Sequence, residues 1–561
     1  MTTRTPIAID GVVPWPDDVA AHYRKAGYWH GRSLASYLAE HVERRPLDEA
    51  IVDGTTRLTY RDLWDRAAAC AQALLDLGIQ PGDRIVVQLP NCWEFVALAL
   101  GCFRTGIIPV MALPAHRRHE ITHLAAQSEA TALVVTDATS DEELRETAQQ
   151  VAAEVPTVRA VLVHGALSQG ITEHAPEYRL SAAVNVTPRF APADYEPTGA
   201  DVVCMLLSGG TTGIPKLIVR TNDDYVCNIL MCNEVAEFGC DTVYLAALPV
   251  SHNFALACPG ILGPLFAGGR VVMLPSPSPE RALKTIDAEQ VTATALVPAV
   301  AQRWIEHQRD HATLRGHSLR VLQVGGARMP DELAARVEPV LGARLQQVFG
   351  MAEGLINMTR LDDDLEVVLT TQGRPVCEAD EITIVGEDGT PLPDGTPGAL
   401  LTRGPYTPRG YFRAAAHNAR AFTADGWYAS GDVVLRRPDR NLVVEGRDKD
   451  MINRGGEKIS AEEIESLVYR VEDITMAAAV AMPDPVLGEK LCLYITVKPG
   501  TQVTLEQIQE MLRQTGVAAF KIPERLVVLD ELPTTKVGKI NKKDLRADIA
   551  ERLAAASAHA K

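Results

Sequence analysis

Residues 208–216 read SGGTTGIPK and combine glycines, hydroxyls and one lysine directly after the apolar run at 202–207. Residues of these types at this spacing can wrap a phosphate. Gly209, Gly210 and Gly213 let the backbone approach an anion with no Cβ in the way, Ser208, Thr211 and Thr212 donate hydroxyls, and Lys216 adds positive charge. The spacing differs from the Gly-x-x-x-x-Gly-Lys-Ser/Thr loop of P-loop proteins, because Lys216 follows a proline and precedes Leu217. Taken alone the stretch also reads as a flexible Gly/Thr linker. Its partners elsewhere in the chain must decide.

Four downstream segments carry what a nucleotide would need. Asp432, in YASGDVV, offers two carboxylate oxygens that can accept from both hydroxyls of a ribose. Arg447, in EGRDKD, presents a planar donor fork suited to the same sugar or to phosphate. Glu353, in VFGMAEG, is a hard oxygen donor that can hold Mg²⁺ against phosphates. Lys539, in PTTKVGKINKK, is a point charge on a loop that can reach a reacting oxygen. Each has a plainer alternative: a turn residue for Asp432, solvated surface charges for Arg447 and Lys539, a helix cap for Glu353.

Together and in this order, these segments resemble the adenylate-forming superfamily, which includes acyl- and aryl-CoA synthetases, firefly luciferases and the adenylation domains of nonribosomal peptide synthesis. The resemblance covers nearly the whole chain and adds GRDKDMINRGGEKISAEEIE, residues 446–465, as hinge and following loop. It implies ATP and Mg²⁺ as cofactors, with Glu353 as metal ligand and Lys539 as catalytic lysine. Ser208 to Lys216 would grip the β- and γ-phosphates. Gly326, Ala327, Val348, Phe349, Gly350, Met351, Ala352 and Val444 would surround the nucleotide with Asp432 and Arg447. In such enzymes a carboxylate attacks the α-phosphate, pyrophosphate leaves, and a thiol opens the acyl-adenylate to a thioester. Rotation of a small C-terminal domain separates the two steps. Here Lys449 occupies the hinge position, and the rotation would withdraw Lys539 and bring residues 454–458 towards the thiol.

LPVSHNFALACPG at 248–260, GYWHG at 27–31 and GGARMP at 325–330 are similar to the aryl-acid branch, the standalone 2,3-dihydroxybenzoate and salicylate AMP ligases of siderophore assembly. That similarity implies that Asn253 bonds the 2-hydroxyl of the acid. His252 would stand at the pocket entrance as a third catalytic residue, with Gly325, Ala327 and Val348 in the pocket wall. Phe254, Ala255 and Ile356 replace the Tyr, Pro and Val usual in relatives. Cys258 stands where dihydroxybenzoate enzymes tend to carry Ser and salicylate enzymes Cys. Salicylate is therefore the expected substrate, with 2,3-dihydroxybenzoate, 6-substituted salicylates and 3-hydroxypicolinate as alternatives. The expected thiol is the phosphopantetheine arm of a separate aryl carrier protein, since no Leu-Gly-Gly-x-Ser sequence is present, and coenzyme A is the alternative acceptor.

These residues must be positioned by a chain of 561 residues, too long for one core, with 46% hydrophobic and 23% charged side chains. A net charge of -17 argues against a nucleic-acid or anionic-membrane partner. The N-terminal region lacks the apolar core of a signal peptide and no run reaches the ~20 apolar residues of a membrane span, so a cytoplasmic protein is expected. Its 10 cysteines are scattered through apolar segments and read as buried reduced thiols. Periodicity predicts helices over 58–77 and 93–105 and strands over 84–89, 107–113 and 132–136. Further strands follow at 242–248, 270–274, 293–297 and 319–324. This alternation predicts an α/β fold with two α/β subdomains in series. Short strands and turns from 373 to 435 suggest a small β-barrel. The large N-terminal domain is thus expected over 1–448 and a small mobile α+β domain over 449–561.

Overall fold

The computed structural model describes residues 5–137, 144–168, 174–189, 195–208, 215–314, 318–447, 450–454, 457–484, 487–515, 517, 519–535 and 539–559. Strands such as Arg84–Gln88 (RIVVQ) and Ala132–Thr136 (ALVVT) are rich in Val and Ile and buried on both faces, as strands of a helix-covered parallel sheet must be. They belong to a seven-stranded sheet ordered Glu177–Arg179, Ala160–His164, Ala132–Thr136, Arg84–Gln88, Ile108–Met111, Val202–Leu207, Leu217–Thr221. Only the last pair is antiparallel.

A nine-stranded sheet follows. Its central strands, Arg344–Met351, Val321–Gly325, Ala293–Leu296, Val243–Ala246 and Arg270–Met273, run parallel. The two sheets are not strictly in series. Glu49–Asp53 and Thr56–Thr59, which precede the first sheet in the chain, form the edge of the second. Residues 58–77 are accordingly not one helix. The helix is Tyr60–Asp76, and Thr59 caps it, its hydroxyl accepting the Asp62 N–H at 3.1 Å while Asp62 accepts the Thr59 N–H at 3.0 Å.

Beyond this sheet, Glu381–Val385, Gly398–Arg403, Tyr428–Arg436 and Leu442–Arg447 form a four-stranded antiparallel meander. It is not the closed barrel expected: among the described residues its outer strands do not pair. Leu442 instead exchanges backbone hydrogen bonds with Gln372 and Gly373, so that edge is satisfied from the nine-stranded sheet's side. The last sheet pairs Gly488–Val497 with Ile474–Asp484, Ile452–Arg454 and Arg525–Val528, and has its own apolar core around Ile464, Leu493 and Ile508. Among the described residues, no helix is long and apolar enough to cross a membrane.

The seam between the two large sheets is where the site is anchored. The Trp93–Thr105 helix is buried from Phe95 to Thr105, as a helix apolar on every side must be, and touches strands of both sheets. A Cβ on Gly101 would lie 2.7 Å from the Ala67 carbonyl, so only glycine lets this helix approach Tyr60–Asp76 so closely. Just before it, Asn91 ties the sheets together. Its amide Nδ2 donates to the carbonyls of Ala246, Leu248 and Leu274 at 2.9, 2.9 and 3.1 Å, and its Oδ1 accepts the Val250 N–H at 3.0 Å. Asn91→Ala would leave these buried groups without partners and should cost at least about 2 kcal/mol in urea unfolding. A variant as stable as the parent would remove Asn91 from this role.

Candidate active site

The segment 248–260 enters the site from the end of Val243–Ala246, held by the Asn91 clamp. Its short helix Asn253–Ala257 starts at His252, whose Nδ1 accepts the Phe254 N–H at 3.3 Å. His252, Asn253, Phe254, Cys258, Val348 and Ile356 line one end of a cavity of about 390 Å³. Asn253 is held from two sides: its Oδ1 accepts the Tyr225 hydroxyl at 2.9 Å, and its Nδ2 lies 3.2 Å from Cys258 Sγ. Gly325 lies behind this wall, where a Cβ would meet the Phe254 ring at 3.1 Å.

The other end of the cavity is polar. Ser208 and Lys216 close the hairpin on either side of the Gly/Thr loop, the Ser208 N–H donating to the Lys216 carbonyl and the Lys216 N–H to Ser208 Oγ, both at 3.0 Å. Gly209, Gly210, Thr211, Thr212 and Gly213 lie outside the described residues. Lys216 Nζ sits 5.6 Å from the centre of the Tyr411 ring, and the Tyr411 hydroxyl donates to Glu353 Oε1 at 2.7 Å. Burial, then Glu353, pushes the Tyr411 hydroxyl far up, so it stays a donor. Ala352 and Tyr428 complete this end, the latter 3.1 Å from Tyr411 hydroxyl to hydroxyl. Neither tyrosine was legible as a site residue, because nothing in their local spacing marks them.

A second cavity, of about 250 Å³, lies between the meander and the C-terminal sheet. Gly326, Ala327, Val348, Phe349, Gly350, Met351, Asp432 and Val444 line it. Asp432 is buried, its N–H bound to Ser430 Oγ at 3.1 Å, and its strand register sets it opposite Arg447. Lys449 lies outside the described residues. Facing these is Glu462, whose carboxyl is pushed up to about 7 by burial, and the buried pair Lys542–Glu465 at 2.8 Å.

Lys539 lines both cavities. Its turn is pinned at both ends, its N–H donating to Thr535 Oγ1 at 3.2 Å and its carbonyl accepting from Thr535. The side chain lies over Gly326: a Cβ there would stand 3.3 Å from Lys539 Cε, on a backbone with φ of +85°. Burial, with the Lys539 ammonium second, pushes the His252 imidazole down to about 4, so the ring is neutral near pH 7.

A charged pair beneath the site connects its parts. Arg220 Nε donates to Asp224 Oδ1 at 2.6 Å, both side chains fully buried, and Arg220 Nη1 donates to the Ala352 carbonyl at 3.3 Å beside Glu353. Burial pulls the guanidinium down and the Asp224 carboxylate more than offsets it, so Arg220 stays charged. Asp224 Oδ2 also accepts the Thr221 N–H and hydroxyl at 2.7 and 2.6 Å, and Arg220 stacks 4.7 Å over the Tyr225 ring. Sequence alone could not separate this pair from an exposed i,i+4 pair.

Two α/β layers, a meander and a small C-terminal unit that brings a lysine to the junction of two cavities define an enzyme of adenylate-binding type. Residues 38–412 match the family described as AMP-binding enzyme, and residues 463–539 match the AMP-binding enzyme C-terminal domain. The chain belongs to this AMP-binding enzyme family. It is 55% identical over 540 residues to a salicylyl-CoA synthase / salicylate adenylyltransferase of a Streptomyces species, covering 96% of this chain and 97% of the relative. It is 48% identical to a 2-hydroxy-7-methoxy-5-methyl-1-naphthoate–CoA ligase of Streptomyces carzinostaticus, covering 96% and 97%. The apo structure of Mycobacterium smegmatis MbtA superposes with a TM-score of 0.72 at 44% identity, covering 96% of this chain and 98% of that one.

Two measurements check this geometry. Lys539→Ala removes one of the two causes that depress His252, so its pKa should rise from about 4 towards 6.5 in an NMR titration; an unchanged titration would place Lys539 away from the pocket. Arg220→Met strands a buried carboxylate and should cost about 3–5 kcal/mol in urea unfolding, part of it recovered by adding Asp224→Asn. Full stability of the single variant would contradict a buried, charged pair.

Proposed function

We propose that the protein activates an aryl acid bearing a hydroxyl ortho to its carboxylate, salicylate first, as an acyl-adenylate formed from ATP, and then passes the acyl group to a phosphopantetheine thiol. The observation that carries this reading is the meeting of the two cavities at Lys539: the expected acid residues His252, Asn253, Phe254, Cys258 and Ile356 line one, and expected nucleotide residues, Asp432 and Gly350 among them, line both. A carboxylate oxygen forms a bond to the α-phosphorus while the bond to the β-phosphate oxygen breaks, and pyrophosphate leaves with the charge. Lys539 stabilises charge growing on the α-phosphate, and Lys216 and the Gly/Thr loop restrain the departing phosphates. In the second step a thiolate sulfur bonds the acyl carbon and AMP leaves.

Glu353 suits a magnesium ion shared with those phosphates, since it is a buried carboxylate fixed by Tyr411 at the polar end of the cavity. When bound, the ion would neutralise charge on the pyrophosphate. Residues 1–448 hold both pockets in this reading, and residues 449–561 turn about Lys449 between the two steps, carrying Lys539 away before the thiol arrives. His252, neutral at the junction, shapes the path of the reacting carboxylate without adding a second positive charge.

The choice of salicylate rests on Asn253 and Cys258. Because Tyr225 occupies Asn253 Oδ1, the amide turns its N–H side to the pocket and meets a ring hydroxyl oxygen as a donor. Beside it Cys258 offers only a weakly polar sulfur, which gives a second ring hydroxyl no strong partner. The two curated relatives described above both act on acids with that ortho hydroxyl by name. Both are also named for coenzyme A, which favours CoA as a second reading of the acceptor beside an aryl carrier protein.

ATP–pyrophosphate exchange across an aryl-acid panel tests the reading, with salicylate expected to give the highest kcat/KM. Cys258→Ser should shift the ratio towards 2,3-dihydroxybenzoate by about tenfold. Lys539→Ala should lower exchange by roughly 10²–10³ while sparing thioester formation from preformed adenylate. Highest wild-type turnover with 2,3-dihydroxybenzoate would overturn the Cys258 argument. Comparing thioester yield on carrier protein and on CoA decides the acceptor.

A further inference from the structure

Outside the lining of both cavities, three side chains of metal-ligating type converge on the seam between the two large sheets. Cys92 precedes the Trp93–Thr105 helix, Glu94 lies in its first turn, and His164 ends the strand Ala160–His164. One ligand atom from each lies within 4.8 Å of the other two. From the nine-stranded sheet Asp53 anchors the same helix: its Oδ2 accepts the Trp93 N–H at 3.1 Å, and burial holds its carboxyl above the usual carboxylate range.

We propose that Cys92, Glu94 and His164 form a three-residue binding site for a zinc-class divalent cation, with the fourth position open on the His164 side. The His164–Glu94 spacing fits shared coordination better than hydrogen bonding. His164 Nε2 stands 3.7 Å from Glu94 Oε1, beyond a hydrogen bond. Nitrogen and oxygen ligands on one tetrahedral zinc stand ~3.3 Å apart, so a contraction of well under 1 Å completes that edge. His164 Nδ1 is buried and has no hydrogen-bond partner among the described residues, and Nε2 is the nitrogen that faces Glu94. One thiolate, one imidazole and one carboxylate are a ligand set that zinc prefers over magnesium or calcium. The thiolate and Glu94 together neutralise a dication, which the helix N-terminus beside them would otherwise disfavour. Cys92 is buried, Glu94 is 12% exposed and His164 32% exposed, so the ion has an entry path from the His164 side.

A cation held there would join the end of the strand Ala160–His164 to the start of the helix wedged between the two sheets, next to the Asn91 clamp. The test uses the full-length untagged protein, incubated with zinc and freed of excess by gel filtration. The wild type should retain about one equivalent, and Cys92→Ser and His164→Gln should each lose most of it. Zinc should raise the melting temperature of the wild type and not of the variants. Should either variant fail to fold, cobalt added to the wild type still decides: a thiolate-to-cobalt charge-transfer band supports the site. Absence of that band, no retained zinc in the wild type, or equal retention in folded variants would overturn the proposal, leaving Cys92 and Glu94 as a plain thiol–carboxylate hydrogen bond.

Discussion

The buried Arg220–Asp224 pair is the constraint on which the site depends. Taking two charges out of water is costly, and directed hydrogen bonds offset much of the cost here, although Arg220 Nη2 has no partner among the described residues. The guanidinium binds Asp224, packs on Tyr225 and reaches the Ala352 carbonyl, while Asp224 also caps the helix that follows the phosphate-loop hairpin. Three functional segments are thereby held from one centre: the hairpin bearing Ser208 and Lys216, the turn bearing Glu353, and, through Tyr225, the amide of Asn253. A hydrophobic replacement could match the packing but not this fan of directed bonds.

Above this rigid base the chemistry is assembled from two units. Both units line the second cavity, the lysine at the junction comes from beyond the meander, and Gly326 leaves the space it occupies. Fixed donors cost no reorganisation when charge develops, so a lysine held at that junction suits the first step of the proposed reaction. Glu462, its carboxyl pushed up to about 7 by burial, and the Lys542–Glu465 pair face the same interdomain cavity. The pair lies within the C-terminal unit, whereas Glu462 also feels Arg328 and Asp432 of the other unit.

Much of this was legible in the chain because local chemistry constrains sequence strongly. The motif segments around Lys216, Glu353, Asp432 and Lys539 lie around the joined cavities, and the helix Trp93–Thr105 falls where periodicity set it. The failures also have physical causes. Glu49–Asp53 and Thr56–Thr59 are too short to announce which sheet they join, and Thr59 looks helical until its capping role is seen. The meander resembles a barrel in texture, since the strand pattern does not say which edges meet. Asn91 acts through carbonyls 155 or more residues away, Tyr411 through Glu353 58 residues away and Arg220 in part through the Ala352 carbonyl 132 residues away, and no local spacing can register such contacts.

The sequence by itself determined residue types that suit phosphate, ribose and an aryl acid, the alternation that builds parallel sheets, and the family to which the chain belongs. These follow from short-range patterns: glycines where a backbone must approach an anion, apolar runs where strands are covered on both faces. Only the tertiary structure decided that Lys539 stands at the junction of two cavities, that Asn253 is turned by Tyr225, and that one buried ion pair holds the hairpin, the Glu353 turn and the acid pocket in register. Those are relations between distant segments, and they exist only once burial has brought the segments together.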